Sequence, residues 1–226
     1  MSGYWFQNRI ARWDWRNRNA SGHFVNTARP GTGDVDNYAG WAGTDMEIVG
    51  AYSGQGLLLD GTKQQWHTAD SFANFGPQNF TVEAWFKIED FTHNNYILRK
   101  HNGATTGYEI LVDTNGAVTI NTGDGAGLDT TTSNNGVIGG AMIYQLIVTR
   151  IGTAFDIYVN GRQVGIAAAG THDAIASALA EPLYVFARNA ATLNLDGYGL
   201  LVSLWDSRSF GATDVWSRWM AKPMRL

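Results

Sequence analysis

Cysteine is absent from the 226 residues, which excludes disulfide staples, thiolate metal sites and a cysteine nucleophile. Proline is scarce, at four residues against 27 glycines. That balance suits many tight turns between short strands. Lysine is sparse too: Lys63, Lys87, Lys100 and Lys222 are the only lysines among 16 basic residues. No run of ~18 apolar residues occurs, so no membrane-spanning helix and no membrane partner are expected. Met1-Ser2-Gly3-Tyr4 opens without a basic stretch leading into an apolar one, so no Sec-type signal peptide is expected. A formal net charge of −4 gives no general case for nucleic acid as a partner.

What is present is apolar and aromatic. Hydrophobic residues make up 44% of the chain and aromatic ones 12%, enough to build a core and too much for disorder. In Phe80-Thr81-Val82-Glu83-Ala84-Trp85-Phe86-Lys87, Phe80, Val82, Ala84 and Phe86 fall on one face of an extended chain. Thr81, Glu83, Trp85 and Lys87 fall on the other. A second segment runs from Tyr144 to Arg150, turns at Ile151-Gly152-Thr153, and returns through Phe155-Asp156-Ile157-Tyr158-Val159 to Asn160-Gly161. Asn-Gly is a strong hairpin signal because both central residues of a type I′ turn need positive φ. Further strands are expected at 56–60, 64–68, 96–100, 108–112, 117–120, 162–164, 182–188 and 195–205. The spacing of these signals predicts an antiparallel β meander.

The order of these segments resembles a laminin G-like domain. The residues that carry the likeness are Gly56-Leu57-Leu58-Leu59-Asp60-Gly61, Phe80-Thr81-Val82-Glu83-Ala84-Trp85 and Tyr96-Ile97-Leu98-Arg99-Lys100. Tyr108-Glu109-Ile110-Leu111-Val112, Tyr144 to Arg150, Tyr158-Val159-Asn160-Gly161, Pro182-Leu183-Tyr184-Val185 and Leu195-Asp196-Gly197-Tyr198 continue it. The likeness covers roughly residues 37–220. It implies an all-β fold, a two-sheet antiparallel jelly-roll sandwich of the concanavalin A-like lectin/glucanase kind, with a short C-terminal helix added. It implies little about function, since this fold hosts lectins, adhesion modules, virion parts and glycosidases.

Residues 1–33 differ from the rest. Trp5, Trp13 and Trp15 interleave with Arg9, Arg12 and Arg16, and five arginines against one aspartate give this head +4. The remaining 11 basic and 19 acidic residues give 34–226 a charge of −8. Three readings follow: the first strand of the sandwich with its tryptophans in the core, an arm that docks on a partner through Trp5, Arg9, Arg12, Trp13, Trp15 and Arg16, or, last, a contact with nucleic acid. Arginine and tryptophan are enriched at interface hot spots.

Residues 121–140 form the longest polar stretch and read as a connecting loop, the first place to seek a ligand. Its candidate ligand-binding residues are Asp124, Asp129 and Asn134. Calcium is the one metal such a loop could take; no cofactor is otherwise expected. Asp34-Val35-Asp36-Asn37 alternates oxygen ligands but lacks the glycine and closing glutamate of a calcium loop, and reads as a solvated turn. Thr213 is the expected cap of a helix over 211–221, with Val215, Trp216 and Trp219 on its packing face.

No catalytic constellation is legible. The five histidines are scattered, no Gly-x-Ser-x-Gly elbow occurs, and Asp45-Met46-Glu47 and Glu89-Asp90 lack the third acid of a glycosidase triplet. The reading is of a non-enzyme, a virion component decorating a bacteriophage capsid or tail. Its partners would be other virion proteins, or itself as a symmetric oligomer. The alternative is a carbohydrate-binding, lectin-like module for surface glycans, with a glycoside hydrolase third. The expected location is the virion, or else the cytoplasm.

Overall fold

The structure, a computed structural model, describes residues 8–18, 24–29, 36–37, 48–51, 54–60, 66–67, 72–140, 142–178, 181–188 and 195–221. Among the described residues, seventeen strands and one helix follow in chain order. They are β1 (Arg9–Arg18), β2 (Phe24–Asn26), β3 (Asp36–Asn37), β4 (Ile48–Ala51), β5 (Gly54–Asp60), β6 (Trp66–His67), β7 (Phe80–Ile88), β8 (Asn95–His101) and β9 (Thr106–Val112). Then come β10 (Val118–Asp124), β11 (Leu128–Ser133), β12 (Tyr144–Ile151), β13 (Ala154–Val159), β14 (Arg162–Gln163), β15 (Ile166–Ala168), β16 (Tyr184–Val185), β17 (Asp196–Asp206) and α1 (Ala212–Ala221). They form two antiparallel sheets. The nine-stranded sheet runs β14-β13-β12-β7-β17-β1-β2, with β5 also against β17 and β4 outside β5. The eight-stranded sheet runs β15-β11-β10-β9-β8-β16-β6-β3.

Period two places the core. Phe80, Val82, Ala84 and Phe86 of β7 pack inward against Leu98, Tyr108, Ile110, Val118 and Ile120 of the facing sheet. Strand β17 is buried on both sides, so Leu200-Leu201-Val202 reads as a continuous apolar run. Its inward residues Val202 and Leu204 join the main core, while Leu201 and Trp205 join clusters on the outer side of the nine-stranded sheet.

The hairpin at Asn160-Gly161 has the positive φ it requires, 50° and 81°. Glycine is needed there twice over, because a Cβ on Gly161 would lie 2.9 Å from Cβ and Cγ of Trp219.

Several expectations are corrected. Residues 121–140 are not one connecting loop: β10 runs on to Asp124, the chain turns, and Thr130, Thr131 and Thr132 form the body of β11. Threonine is β-branched, and on a half-buried pleated surface its strand preference outweighs its polarity. Asp36 and Asn37 pair with His67 and Trp66 rather than making a solvated turn. Thr213 does not cap the helix. The first intrahelical bond runs from Val215 to the Gly211 carbonyl, and Asp214 Oδ2 accepts from the Gly211 N–H at 3.3 Å. Trp216 points outward and is 46% exposed, while Val215 is fully buried. Arg218 takes the place on the packing face that the sequence assigned to Trp216.

Candidate functional site

The sandwich has two outer faces, and they differ in what lies on them. On the nine-stranded sheet, Thr81, Glu83 and Trp85 of β7 point outward as the alternation requires, yet all three are buried. Thr81 donates to the Arg208 carbonyl at 2.8 Å, in the segment that leads into helix α1, and α1 itself accounts for Glu83 and Trp85. Trp219 stacks on Trp85 with ring centroids 5.7 Å apart and planes 9° apart. Val215 packs with Ile147, Tyr158, Trp205 and Phe210. Arg218 forms an ion pair with Glu83 and lies 4.7 Å over the Trp205 ring. Glu83 Oε1 also accepts from Trp85 Nε1 at 3.0 Å and Gln145 Nε2 at 2.8 Å, so the carboxylate sits in a fixed cage.

The N-terminal head borders this covered face. Ala11, Trp13 and Asp14 of β1 lie opposite Leu204, Val202 and Leu201 of β17. Trp13 is 0% exposed and meets Phe72 edge-on at 6.0 Å in the main core. It is therefore no docking residue: a side chain with no exposed surface cannot contact a partner without unfolding. Arg12 lies opposite Ser203 and pairs with Asp14 at 3.8 Å. Burial pushes the Arg9 guanidinium down to about 10, with Arg12 and Arg218 adding repulsion and Glu83 opposing it. Trp15 and Arg16 belong to the β1 backbone, and their side chains, like all of Trp5, lie outside the described residues.

The outer face of the eight-stranded sheet carries a polar line. Arg99 of β8, Glu109 of β9, Asn121 of β10 and Thr130 of β11 stand directly opposite one another across four neighbouring strands. Residues in register share a face, and their neighbours Leu98, Ile110 and Ile120 point into the core. The line is hydrogen-bonded end to end. Arg99 Nε donates to Glu109 Oε2 at 3.2 Å, Asn121 Nδ2 to Glu109 Oε1 at 2.8 Å, and Thr130 Oγ1 to Asn121 Oδ1 at 2.7 Å. Three strand spacings make it about 14 Å long. It is graded in depth: Arg99 is buried, Glu109 and Asn121 half-buried, Thr130 exposed. Arg99 Nη1 donates to the Arg188 carbonyl at 2.8 Å, and the Arg188 guanidinium lies 5.7 Å over the Tyr96 ring.

The sequence-predicted loop residues do not converge. Asp124 Oδ1 accepts from the amides of Ala126 and Gly127, each at 2.7 Å, which holds its carboxyl below the usual range and spends it on its own turn. Asp129 stands opposite Thr122 near that turn. Asn134 lies past the far end of β11, its amide bonded to the Gly165 carbonyl at 2.9 Å. A six-residue strand, about 20 Å, separates the two ends. Asp34 lies outside the described residues. The polar line was missed because its members are spread over four segments. Period two marks Glu109 and Asn121 as outward, but only the strand register shows that they meet.

Comparison with known proteins follows this geometry. The model of a family described as the concanavalin A-like lectin/glucanases superfamily, a laminin G family, matches residues 60–215. No curated protein matches the chain. Among solved structures, the binding domain of Paraclostridial Mosquitocidal Protein 1 is similar at TM-score 0.69 and 12% identity, over 96% of this chain and 52% of that one. The botulinum neurotoxin serotype D binding domain is similar at TM-score 0.64 and 11% identity, over 97% and 53%. A Trypanosoma rangeli sialidase is similar at TM-score 0.61 and 13% identity, over 96% and 33%. The chain thus spans about half of the two toxin domains and a third of the sialidase. At these identities the likeness is one of fold.

Proposed function

Because the chain belongs to the concanavalin A-like lectin/glucanase superfamily, we propose that it is a non-catalytic binding module whose ligand is a glycan. The observation that carries this reading is the line Arg99–Glu109–Asn121–Thr130, on the face that α1 leaves uncovered. Sugar hydroxyls are both donors and acceptors, and a site for them needs both kinds of group held in fixed directions. Asn121 spends one amide hydrogen on Glu109 and accepts once from Thr130, which leaves one donor and one acceptor position for a ligand. Glu109 behind it is held by Arg99, so the line is oriented before any ligand arrives, and preorganisation lowers the entropic cost of binding.

Two further features favour binding over hydrolysis. A glycosidase needs two carboxyls about 5–10 Å apart across one bond. Glu83 and Glu109 lie on opposite outer faces with both sheets between them, and each is held by an arginine. The two toxin structures of similar fold are also binding domains.

A glycan array followed by calorimetric titration tests the reading. The expected result is binding that weakens about tenfold in Asn121→Ala, the worth of roughly one hydrogen bond to the ligand, in a variant that still folds and melts cooperatively, at a temperature lowered by the loss of its bonds to Glu109 and Thr130. Absence of glycan binding by the native chain, or full affinity in the variant, would refute it.

Placement in a virion, as a capsid decoration or tail component, is the second reading. Of the basic, aromatic head that partly motivates it, Trp13 lies in the core, while the charge asymmetry of the head and the cysteine-free composition still support it. Mass photometry of the chain alone and with capsids or tails tests it; a monomer captured by neither would count against it. Deleting residues 1–33 would not test it cleanly, since the deletion removes β1 from the sheet.

A further inference from the structure

Between β15 and β16, residues 170–178 cross the end of the sandwich without regular structure and bond to both sheets. On one side, the His172 amide donates to the Thr153 carbonyl at 2.8 Å. Arg150, 1% exposed, sends Nη2 to the carbonyls of His172 and Asp173 at 3.0 and 2.7 Å, and Nη1 to that of Gly76 at 2.8 Å. On the other side, the Ala176 amide donates to the Gly123 carbonyl at 2.8 Å, and its own carbonyl accepts from Gly107 at 3.0 Å. Gly170 donates to Thr131 Oγ1 at 3.0 Å.

The one side chain of this segment that reaches between the sheets with both polar atoms engaged is His172, 0% exposed. Its Nδ1 lies 2.7 Å from Thr122 Oγ1 and its Nε2 2.8 Å from Thr131 Oγ1, with the ring perpendicular to Phe155 at 4.7 Å. A neutral imidazole suits two hydroxyls, donating to one and accepting from the other. An imidazolium would be a second cation beside the Arg150 guanidinium of β12, in a site closed to water. The charges that act on the ring are those of Asp129 of β11 and Arg150, and Asp173 of the segment itself acts on Arg150.

We propose that His172 is an acid-released latch: its protonation frees residues 170–178 from the end of the sandwich while the two sheets stay folded. Burial holds the ring below its ordinary 6.5, with Asp129 opposing the shift and Arg150 reinforcing it. The sign follows. The open segment binds the proton more readily than the closed one, so closure is at full strength above pH 6.5 and weakens as pH falls below it. The sheet ladders of β7, β12 and β17 use no histidine and are not touched by this proton.

Hydrogen exchange on the full chain, corrected for the intrinsic pH dependence of amide exchange, tests the latch between pH 7.5 and 5. The expected result is a loss of protection at 170–178 of up to about tenfold per pH unit below pH 6.5, with β7 and β17 unchanged. His172→Gln, which keeps a donor and an acceptor, should show no such dependence. His101 is also pushed down by burial but lies on β8, so the variant separates its response from that of His172. The latch is overturned if the native segment keeps its protection at pH 5, or if the glutamine variant retains the acid response. Should that variant fail to fold, NMR titration of the native His172 ring decides: a midpoint at or above 6.5 overturns the proposal, and a lower one moving with the Gly170 and Ala176 amides supports it.

Discussion

Replacing Arg218 by alanine removes the direct ion-pair partner of a carboxylate that has no exposed surface. Glu83 is 0% exposed and would keep its bonds from Trp85 and Gln145, but its charge would lose that pair and be left with Arg9 as a neighbouring cation. Breaking such a buried pair from one side costs about 3–5 kcal/mol. The guanidinium also leaves the Trp205 ring, 4.7 Å away, a contact worth about 1 kcal/mol. Glu83→Gln should be milder, about 1–3 kcal/mol, because the amide oxygen can still accept and the Arg218 side chain, 10% exposed, can turn toward solvent. Joining Glu83→Gln with Arg218→Met removes both charges and keeps the volume, so the double variant should lie within about 2 kcal/mol of the native chain. With Arg218→Met as the single at Arg218, its cost of about 3–5 kcal/mol for the buried unpaired carboxylate and that of Glu83→Gln add to at least ~4 kcal/mol, so the coupling should be at least ~2 kcal/mol. Urea unfolding measures the free energies. Near-UV circular dichroism reports separately whether α1 has left the sheet, through the Trp85–Trp219 stack. An Arg218→Ala loss within ~0.5 kcal/mol, or singles that simply add, would refute the account of the covered face.

Trp13→Ala and Trp85→Ala, at positions 0% and 1% exposed, should each cost about 3–5 kcal/mol by chemical denaturation, whereas a docking tryptophan would leave stability almost unchanged. Gly161→Ala combines a strained positive φ of 81° with a clash on Trp219, and a loss of about 1–3 kcal/mol with weakened Trp85–Trp219 ellipticity is expected. A variant as stable as the native chain would mean that the β13–β14 turn does not constrain the helix. Asn115→Ala, in the exposed turn that closes the β9–β10 hairpin and six positions from both Glu109 and Asn121, should leave both glycan affinity and melting temperature as they are, which calorimetry can check.

Much of the scaffold was legible from residues alone. The alternation in 80–87 located a strand with one face in the core, and Asn160-Gly161 located a turn whose positive φ values are those expected. Both signals are local: steric limits on φ and a two-residue period act within a few positions. Where polarity was read as loop, in 121–140, the reading failed because threonine's β-branched backbone preference is stronger than the correlation of polar residues with turns.

The sequence by itself determined the class of the protein: short strands, tight turns, no disulfides, and an outward row on β7 ending in a C-terminal helix. Only the tertiary structure decided which outward faces are covered. Nothing in Thr81, Glu83 and Trp85 announces that Arg218 and Trp219, more than 130 positions away, close over them. Nothing in five separate arginines tells that Arg9 and Arg12 lie on a strand paired with β17. The polar line is the same kind of fact. Its residues are ordinary one by one, and it exists because antiparallel register brings Arg99, Glu109, Asn121 and Thr130 into one row, a choice made by hydrogen bonds between distant segments.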